Sequence, residues 1–300
     1  MKQVLYLSYD GMTDPLGQSQ VLPYLIGLSQ KGFRFTLISF EKPDRFAEEK
    51  GKIEALCRSY DIDWKPLIYT KKPPVISTLR DIRKMKKLAR IQHREKNFQL
   101  VHCRSYISAL VGLDLKHNKG IRLLFDMRGF WADERVEGKI WNPKNPLFQF
   151  IYSYFKKKER RYLEASDAIV SLTTAGKNEI LSWNLPHVSP DKITVIPCCV
   201  DLNLFNPRKI DTDLFYKKKL EYRLNDRFVV GYVGSIGTWY QLREMLLAFK
   251  HILRLKPEAV FLFVTKESPA TILEEAKELA IAEEAIRVVA AQHQKVPGFI

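Results

Sequence analysis

The sequence predicts an α/β protein built as two lobes of parallel sheet flanked by helices, the first over residues 1–205 and the second, shorter, over 206–300. Three observations predict this. Short runs of β-branched and aromatic residues alternate with longer stretches of helical apolar spacing from end to end. Several of the short runs, such as 4–9 and 260–265, are apolar at successive positions, as strands buried on both faces are. The alternation also restarts after 193–207. There a β-branched run meets Pro197, which cannot donate to a ladder; Asp201 and Asn203 then turn the chain, and Pro207 keeps it out of a helix. Pro197 and Asp201 therefore mark the hinge between the lobes.

In order, 4–9 is the first strand, 10–19 a loop rich in Gly, Pro and Asp, and Val21, Leu22, Leu25 and Leu28 a helical stripe closed by Lys31-Gly32. The next strand, 33–40, completes a right-handed βαβ unit. A helix over 45–60 and a strand over 63–69 lead to Pro73-Pro74. A long helix over 76–96 follows, with Ile76, Leu79, Ile82, Met85, Leu88 and Ile91 as its packing face and a strongly basic opposite face. Strands over 100–103 and 122–127 flank a helix over 107–115. The loop beginning at Asp126-Met-Arg128 leaves the carboxyl end of a parallel strand, where ligands bind in open α/β sheets. The helix over 146–163 sets Phe148, Ile151, Tyr152, Phe155 and Tyr162 beside the run Lys156-Lys-Lys-Glu-Arg-Arg161. Its aromatics read as core and its lysines as contacts to lipid or phosphate. A strand (168–172) and a helix (173–183) close the first lobe. Strands over 228–233, 260–265 and 286–289, with helices over 242–255 and 268–280, form the second.

Composition narrows the function classes. The 300 residues are 46% hydrophobic and 28% charged, the balance of a soluble globular protein. A net charge of +15 calls for an anionic partner: phosphorylated ligands, an acidic membrane surface or nucleic acid. No nucleic acid is expected, because no recognition motif or basic-aromatic stacking strip is present. The four cysteines make no C-x-x-C pair, and adjacent Cys198 and Cys199 are poor disulfide partners; all four read as small buried residues in a reducing compartment. The first ten residues are too short an apolar stretch for a signal peptide, and no run suits a spanning helix. The expected location is cytoplasmic, with the basic helices against the inner face of the cell membrane or simply solvated. The first loop lacks a G-x-G-x-x-G fingerprint, which argues against a dinucleotide-binding dehydrogenase. No metal and no cofactor is expected, and nothing fixes the oligomeric state.

Val195-Ile-Pro-Cys-Cys-Val-Asp-Leu-Asn-Leu-Phe-Asn-Pro207 resembles the V-I-P-N-G-V-D-x-x-x-F-x-P signature of family 4 of the retaining, nucleotide-sugar-dependent glycosyltransferases. The stretch 17–32 resembles that family's first loop and helix, and 167–174 a further element. The resemblance implies a GT-B fold, with a Rossmann-like acceptor-side lobe over 1–205 and a partial donor-side lobe over 206–300. It implies transfer of a sugar from a nucleotide-sugar donor to a glycan or lipid-linked acceptor, in cell-envelope polysaccharide or glycoconjugate biosynthesis. Asp10, Gly11 and Trp131 would lie on the acceptor side, Trp131 as a stacking surface. Gly17 and Gln18 would approach the donor phosphates, joined by Gly234, Ser235, Gly237 and Trp239 from the second lobe. Arg128, Asp133 and Glu134 are the catalytic candidates. Arg128 stands where the family usually has His; it can grip a phosphate but not act as a base near neutral pH, and pairing with Asp133 or Glu134 is the alternative reading. Other departures are Cys198-Cys199 for Asn-Gly, and Ser235 and Tyr240 where the family carries Arg and Lys. The second lobe stops short of the family's elements for base, ribose and sugar. The expectation is therefore weak donor binding by these residues, and the competing reading is a non-catalytic acceptor- or membrane-binding module.

Overall fold

The computed structural model describes residues 1–209, 211–237, 240–291 and 293–300. The chain divides into two compact units, Met1–Cys199 and Val200–Ile300.

In the first unit, β1 (Lys2–Ser8) leads through α1 (Pro15–Gln20) and α2 (Leu22–Ser29) to β2 (Phe33–Glu41). Then come α3 (Pro43–Ser59), β3 (Asp63–Ile68), α4 (Ile76–Lys96), β4 (Leu100–Arg104), α5 (Ser105–Lys119) and β5 (Arg122–Asp126). The unit ends with α6 (Trp131–Glu137), α7 (Pro146–Ala165), β6 (Ala168–Ser171), α8 (Thr174–Ser182) and β7 (Ile193–Val195). All seven strands are parallel, in the order β3-β2-β1-β4-β5-β6-β7. Alternation along β1 sends Val4 and Tyr6 into one apolar cluster, with Phe35, Leu37 and Trp64, and Leu5 and Leu7 into another, with Val101, Leu123 and Phe125. Each fully buried leucine contributes roughly 1.5–3 kcal/mol.

Asn145 caps α7 by accepting from the Leu147 N–H, ahead of Pro146 at the first helical position. Gly120 closes α5 in the left-handed conformation, at φ +66°.

The second unit opens with α9 (Thr212–Glu221) and β8 (Val229–Val233). It continues through α10 (Leu242–Leu255), β9 (Val260–Val264), α11 (Pro269–Glu278) and β10 (Ile286–Val289). Its parallel sheet runs β10-β9-β8. Phe261 and Phe263 pack against Leu246, Phe249 and Ile272 on one face, while Val260, Leu262 and Val264 meet Leu224 and Val296 on the other.

Four sequence expectations are corrected. The loop over 10–19 becomes helical at Pro15, so Gly17 and Gln18 lie in α1. The loop after Arg128 becomes α6 at Trp131, and α9 was not expected. The packing face of α4 is Ser77, Asp81, Met85, Ala89 and Gln92, leaving Ile76, Leu79 and Ile91 exposed. The cause of this last shift is Asp81. Its buried carboxylate accepts from Thr70 N (3.0 Å), Thr70 Oγ1 (2.9 Å) and Tyr9 Oη (3.2 Å), which rotates the helix toward the β3–α4 loop.

Candidate functional site

The strand order reverses between β1 and β4, and ligands of open α/β sheets bind at such a switch point beyond the carboxyl ends. Asp10 follows β1 and Arg104 ends β4. The Arg104 side chain is only 3% exposed; its Nε donates to Asp10 Oδ2 at 3.2 Å, and its Nη1 lies 3.8 Å from Asp126 Oδ2 at the end of β5. Two residues on, Arg128 takes φ +63° and Gly129 φ +141°, turning the chain back over the strand ends. Arg128 Nη1 lies 3.9 Å from Asp126 Oδ1, and Nη2 donates to Gln20 Oε1 at 3.1 Å and to Cys198 Sγ at 3.5 Å. Below them, the His102 ring sits 4.5 Å from that of Tyr6, with Nε2 3.7 Å from Asp126 Oδ2. Asp126 Oδ1 and His102 Nε2 are buried and have no hydrogen-bond partner among the described residues. Burial foremost, and then the Asp126 charge, pushes the Tyr6 phenol up, so it stays protonated. Two guanidiniums thus flank one carboxylate at the switch point. Such planar forks suit a phosphate or carboxylate.

The neighbouring loop is organised by a protein anion. Glu41, at the end of β2, is fully buried and accepts from Met12 N (2.9 Å), Thr13 N (2.9 Å), Thr13 Oγ1 (2.7 Å) and Ser39 Oγ (2.5 Å). Two amides of the first loop are therefore already satisfied from within. Gly11 and Gly17 permit the close approach: a Cβ on Gly11 would lie 2.7 Å from Phe40 O and 2.8 Å from Glu41 Oε2, and one on Gly17 only 2.1 Å from Gly11 O. Gln18 Nε2 donates to Thr13 O at 3.2 Å.

The remaining first-unit candidates sit over a buried polar strut. Glu159 of α7 is 0% exposed and is bonded by the Tyr106 hydroxyl and Lys156. Tyr106 Oη also lies 3.2 Å from Gly129 O. Lys156 Nζ reaches Asp133 Oδ2 at 2.7 Å, Tyr152 donates to Asp133 Oδ1 at 2.7 Å, and the ammonium lies over the rings of Trp183 and Phe130. Burial works against the Lys156 charge, but Asp133 and Glu159 outweigh it and hold its pKa above the ordinary value. Burial raises Glu159, with Lys156 and Tyr106 opposing. Glu134 lies against Gly129 and is raised by burial, with Arg135 opposing and the charges of Glu137 and Asp133 adding. Trp131 packs against Tyr106, Trp141 and Phe155, with Arg135 over its ring.

The structure thus brings Asp10 and Arg128 together with Arg104, Asp126, Gln20 and Cys198, and ties Asp133 to α7. Arg128 pairs with Asp126, not with Asp133 or Glu134 as in the alternative reading. Lys156 is also corrected: it turns inward, unlike exposed Lys157. Cys198 and Cys199 are exposed, against the expectation of burial, because they follow β7 in irregular chain. Pro197 O accepts from Cys199 Sγ at 3.2 Å. Asp201 Oδ1 accepts from Asn203 N at 2.8 Å, opening the expected turn. In the second unit, Gly234 follows β8 with φ +153°, Ser235 O accepts from Tyr232 Oη at 2.7 Å, and Gly237 is exposed. Trp239 lies outside the described residues. Among the described residues no cluster of His, Cys, Asp or Glu is placed to hold a metal ion, and no helix is long and apolar enough to cross a membrane.

Sequence reasoning missed Arg104, Asp126 and Glu41. Glu41 and Arg104 directly follow runs read as strands (33–40 and 100–103), and Asp126 lies one residue before the end of a third (122–127), the same strand-end signal that singled out Arg128.

The fold and this site define the GT-B class, two Rossmann-like α/β units with the polar cluster at the first sheet's switch point. Residues 20–204 match Glycosyltransferase Family 4, and the chain belongs to that family. A search of curated protein sequences returned no match. Among solved structures, sucrose-phosphate synthase from Thermosynechococcus elongatus superimposes with TM-score 0.71 at 15% identity, over 100% of this chain and 73% of that one. HepE from Anabaena, crystallised with UDP and glucose, gives 0.64 at 11% identity, over 100% and 71%. UDP-GlcNAc 2-epimerase from Neisseria meningitidis, bound to UDP-GlcNAc, gives 0.56 at 12% identity, over 100% and 74%. An epimerase shares the fold, so these likenesses establish architecture, and the family match points to a transferase.

Proposed function

We propose that the protein transfers a sugar from a nucleotide-sugar, with retention, to a glycan or lipid-linked acceptor in polysaccharide or glycoconjugate biosynthesis. The observation that carries this reading is the Arg104–Asp126–Arg128 cluster at the switch point, within a family 4 chain. The UDP and UDP-sugar complexes of the similar structures support a uridine nucleotide as donor. In this reading Arg128 supplies a charge-assisted bond to the leaving diphosphate or an anionic acceptor. Asp10, held by Arg104, orients an acceptor hydroxyl, and Gly234, Ser235, Gly237 and Trp239 serve the donor. Positioning and stabilisation of leaving-group charge supply the rate. The test is incubation with a panel of nucleotide-sugars and polyprenyl-phosphate-linked sugars, followed by proton NMR of the anomeric signal. Transfer with retained configuration is expected. Nucleotide release without any sugar transfer across the panel, or an inverted product, would contradict the reading.

A second observation bears on the acceptor. The exposed face of α7 runs Leu147, Phe150 (70% exposed), Tyr154, Lys157 and Arg161, apolar first and then basic. Arg80, Arg83, Lys87 and Arg94 of α4 are exposed and make no ion pair among the described residues. We infer peripheral attachment to an anionic membrane on the cytoplasmic side, at roughly 1 kcal/mol for each basic residue near the surface. This surface is also what a non-catalytic membrane-binding module would use, and the transfer assay separates the two readings.

A further inference from the structure

The four cysteines divide into two kinds. Cys57 lies in the apolar cluster with Ile53 and Trp64, and burial pushes its thiol up to about 12. Cys103 is wedged against α5, where a Cβ on Gly112 would come within 2.2 Å of its sulfur, and burial raises it too. Thiols so placed are inert. Cys198 and Cys199, also free thiols, differ in being adjacent and exposed. Arg128 donates to Cys198 Sγ at 3.5 Å, and the Cys199 N–H donates to Tyr24 Oη at 3.2 Å. Cys198 is thus open to solvent with a guanidinium at its sulfur, the exposed, electropositive surroundings in which reactive cysteines are found. A second thiol one residue away supplies a resolving group.

We propose that Cys198–Cys199 is a redox-modification site for hydrogen peroxide, with Cys198 attacking and Cys199 resolving. The Cys198 thiolate attacks one peroxide oxygen. The O–O bond breaks, hydroxide leaves and takes up a proton to become water, and Cys198 becomes a sulfenic acid, oxidised by two electrons while the peroxide is reduced. The Cys199 thiolate then attacks the Cys198 sulfur. The S–O bond breaks, a second water leaves, and an S–S bond forms. Two thiols and one peroxide thus give one disulfide and two waters. Consecutive Cα atoms stand about 3.8 Å apart, closer than the roughly 4.4–6.8 Å usual for disulfides, so the bridge is strained and easily reduced by small thiols. The modification is therefore reversible. While it lasts, Arg128 faces a disulfide instead of a free cysteine. The proposal does not rest on the transferase reading, since it needs only the two sulfurs, the Arg128 charge beside them and peroxide.

The test treats the native protein with hydrogen peroxide near neutral pH, blocks remaining thiols with N-ethylmaleimide, unfolds and digests it. The tryptic peptide 193–208 carries both exposed cysteines and no other. It should lose the mass of two hydrogens, refuse the maleimide and recover with dithiothreitol, while Cys57 and Cys103 remain free thiols. Cys199→Ser should leave a sulfenic acid on Cys198 that dimedone traps. Arg128→Ala should slow the loss of the Cys198 thiol about tenfold. Full maleimide labelling of the peptide after peroxide, bridging between two molecules instead of within one, or oxidation spread evenly over all four cysteines would overturn the proposal. So would an unchanged rate in a folded Arg128→Ala.

Discussion

Replacing Lys156 with Met tests the buried strut beneath the Arg128–Glu134 segment. The ammonium neutralises Glu159, which is 0% exposed, and holds Asp133 at 2.7 Å. Methionine keeps most of the stem packing and removes only the charge. A buried charge left without its partner costs about 3–5 kcal/mol. At roughly 2–4 °C per kcal/mol for a unit of this size, thermal unfolding at pH 7 should fall by about 10 °C. The pH dependence has a definite sign. Burial already raises Glu159, and losing Lys156 raises it further. A carboxyl whose folded pKa exceeds its unfolded value favours folding while protonated and loses that contribution as pH rises through the folded pKa. The deficit of Lys156→Met should therefore be largest at neutral pH and narrow as pH falls toward about 4–5, near the ordinary Glu value. Adding Glu159→Gln to Lys156→Met should restore much of the stability. Scanning calorimetry from pH 5 to 8 on both variants and on Lys157→Met, an exposed neighbour expected within about 0.5 kcal/mol of wild type, is the assay. A loss at Lys156 no larger than at Lys157, or one that grows as pH falls, would refute the strut.

Other parts of the fold give further expected outcomes. Glu41→Ala strips Met12 N, Thr13 N and Thr13 Oγ1 of their acceptor, and urea unfolding should show a loss of about 3 kcal/mol or more. Gly17→Ala forces a Cβ to within 2.1 Å of Gly11 O and should destabilise by over about 2 kcal/mol, whereas Gly27→Ala in α2 meets nothing within 4 Å among the described residues and should stabilise by about 0.5–1 kcal/mol. Lys157→Glu with Arg161→Glu should release the protein from phosphatidylserine-containing vesicles in co-sedimentation without changing its unfolding temperature. Retention of the double variant, or wild-type binding insensitive to salt, would remove the membrane assignment.

Much of the fold is legible in the sequence where local pattern and tertiary packing agree. The bounds of α4, α10 and β10 match the sequence expectation because their starts and stops coincide with changes of apolar period. The missed helices had other causes. Asp14-Pro15 is a helix start, but Gly17 three residues in lowers helix propensity, and only its packing on Gly11 explains it. The short α6 is held by aromatic contacts of Trp131 with Tyr106, Trp141 and Phe155, which come from distant parts of the chain. Asp211 at the cap of α9 was a readable signal that went unused. The rotation of α4 could not be read locally, because Asp81 is buried by partners in another loop. In the site, Arg128 was legible from its place after a strand. Its partners Asp126, Gln20 and Cys198 were not, because long-range pairing of charges leaves no periodic trace.

The central claim is that the arginines at the carboxyl ends of β4 and β5 form the anion-binding part of a nucleotide-sugar site. Isothermal titration of UDP and UDP-sugars into wild type, Arg128→Ala and Arg45→Ala tests it most directly, with calorimetry confirming that all three fold. A charge-assisted bond is worth about 1.5–3 kcal/mol, so Arg128→Ala should weaken binding about 10- to 100-fold. Arg45→Ala, whose guanidinium pairs with Asp14 on α3's side of the unit, should leave it unchanged. Equal affinities in all three proteins, or a larger loss at Arg45 than at Arg128, would contradict the account.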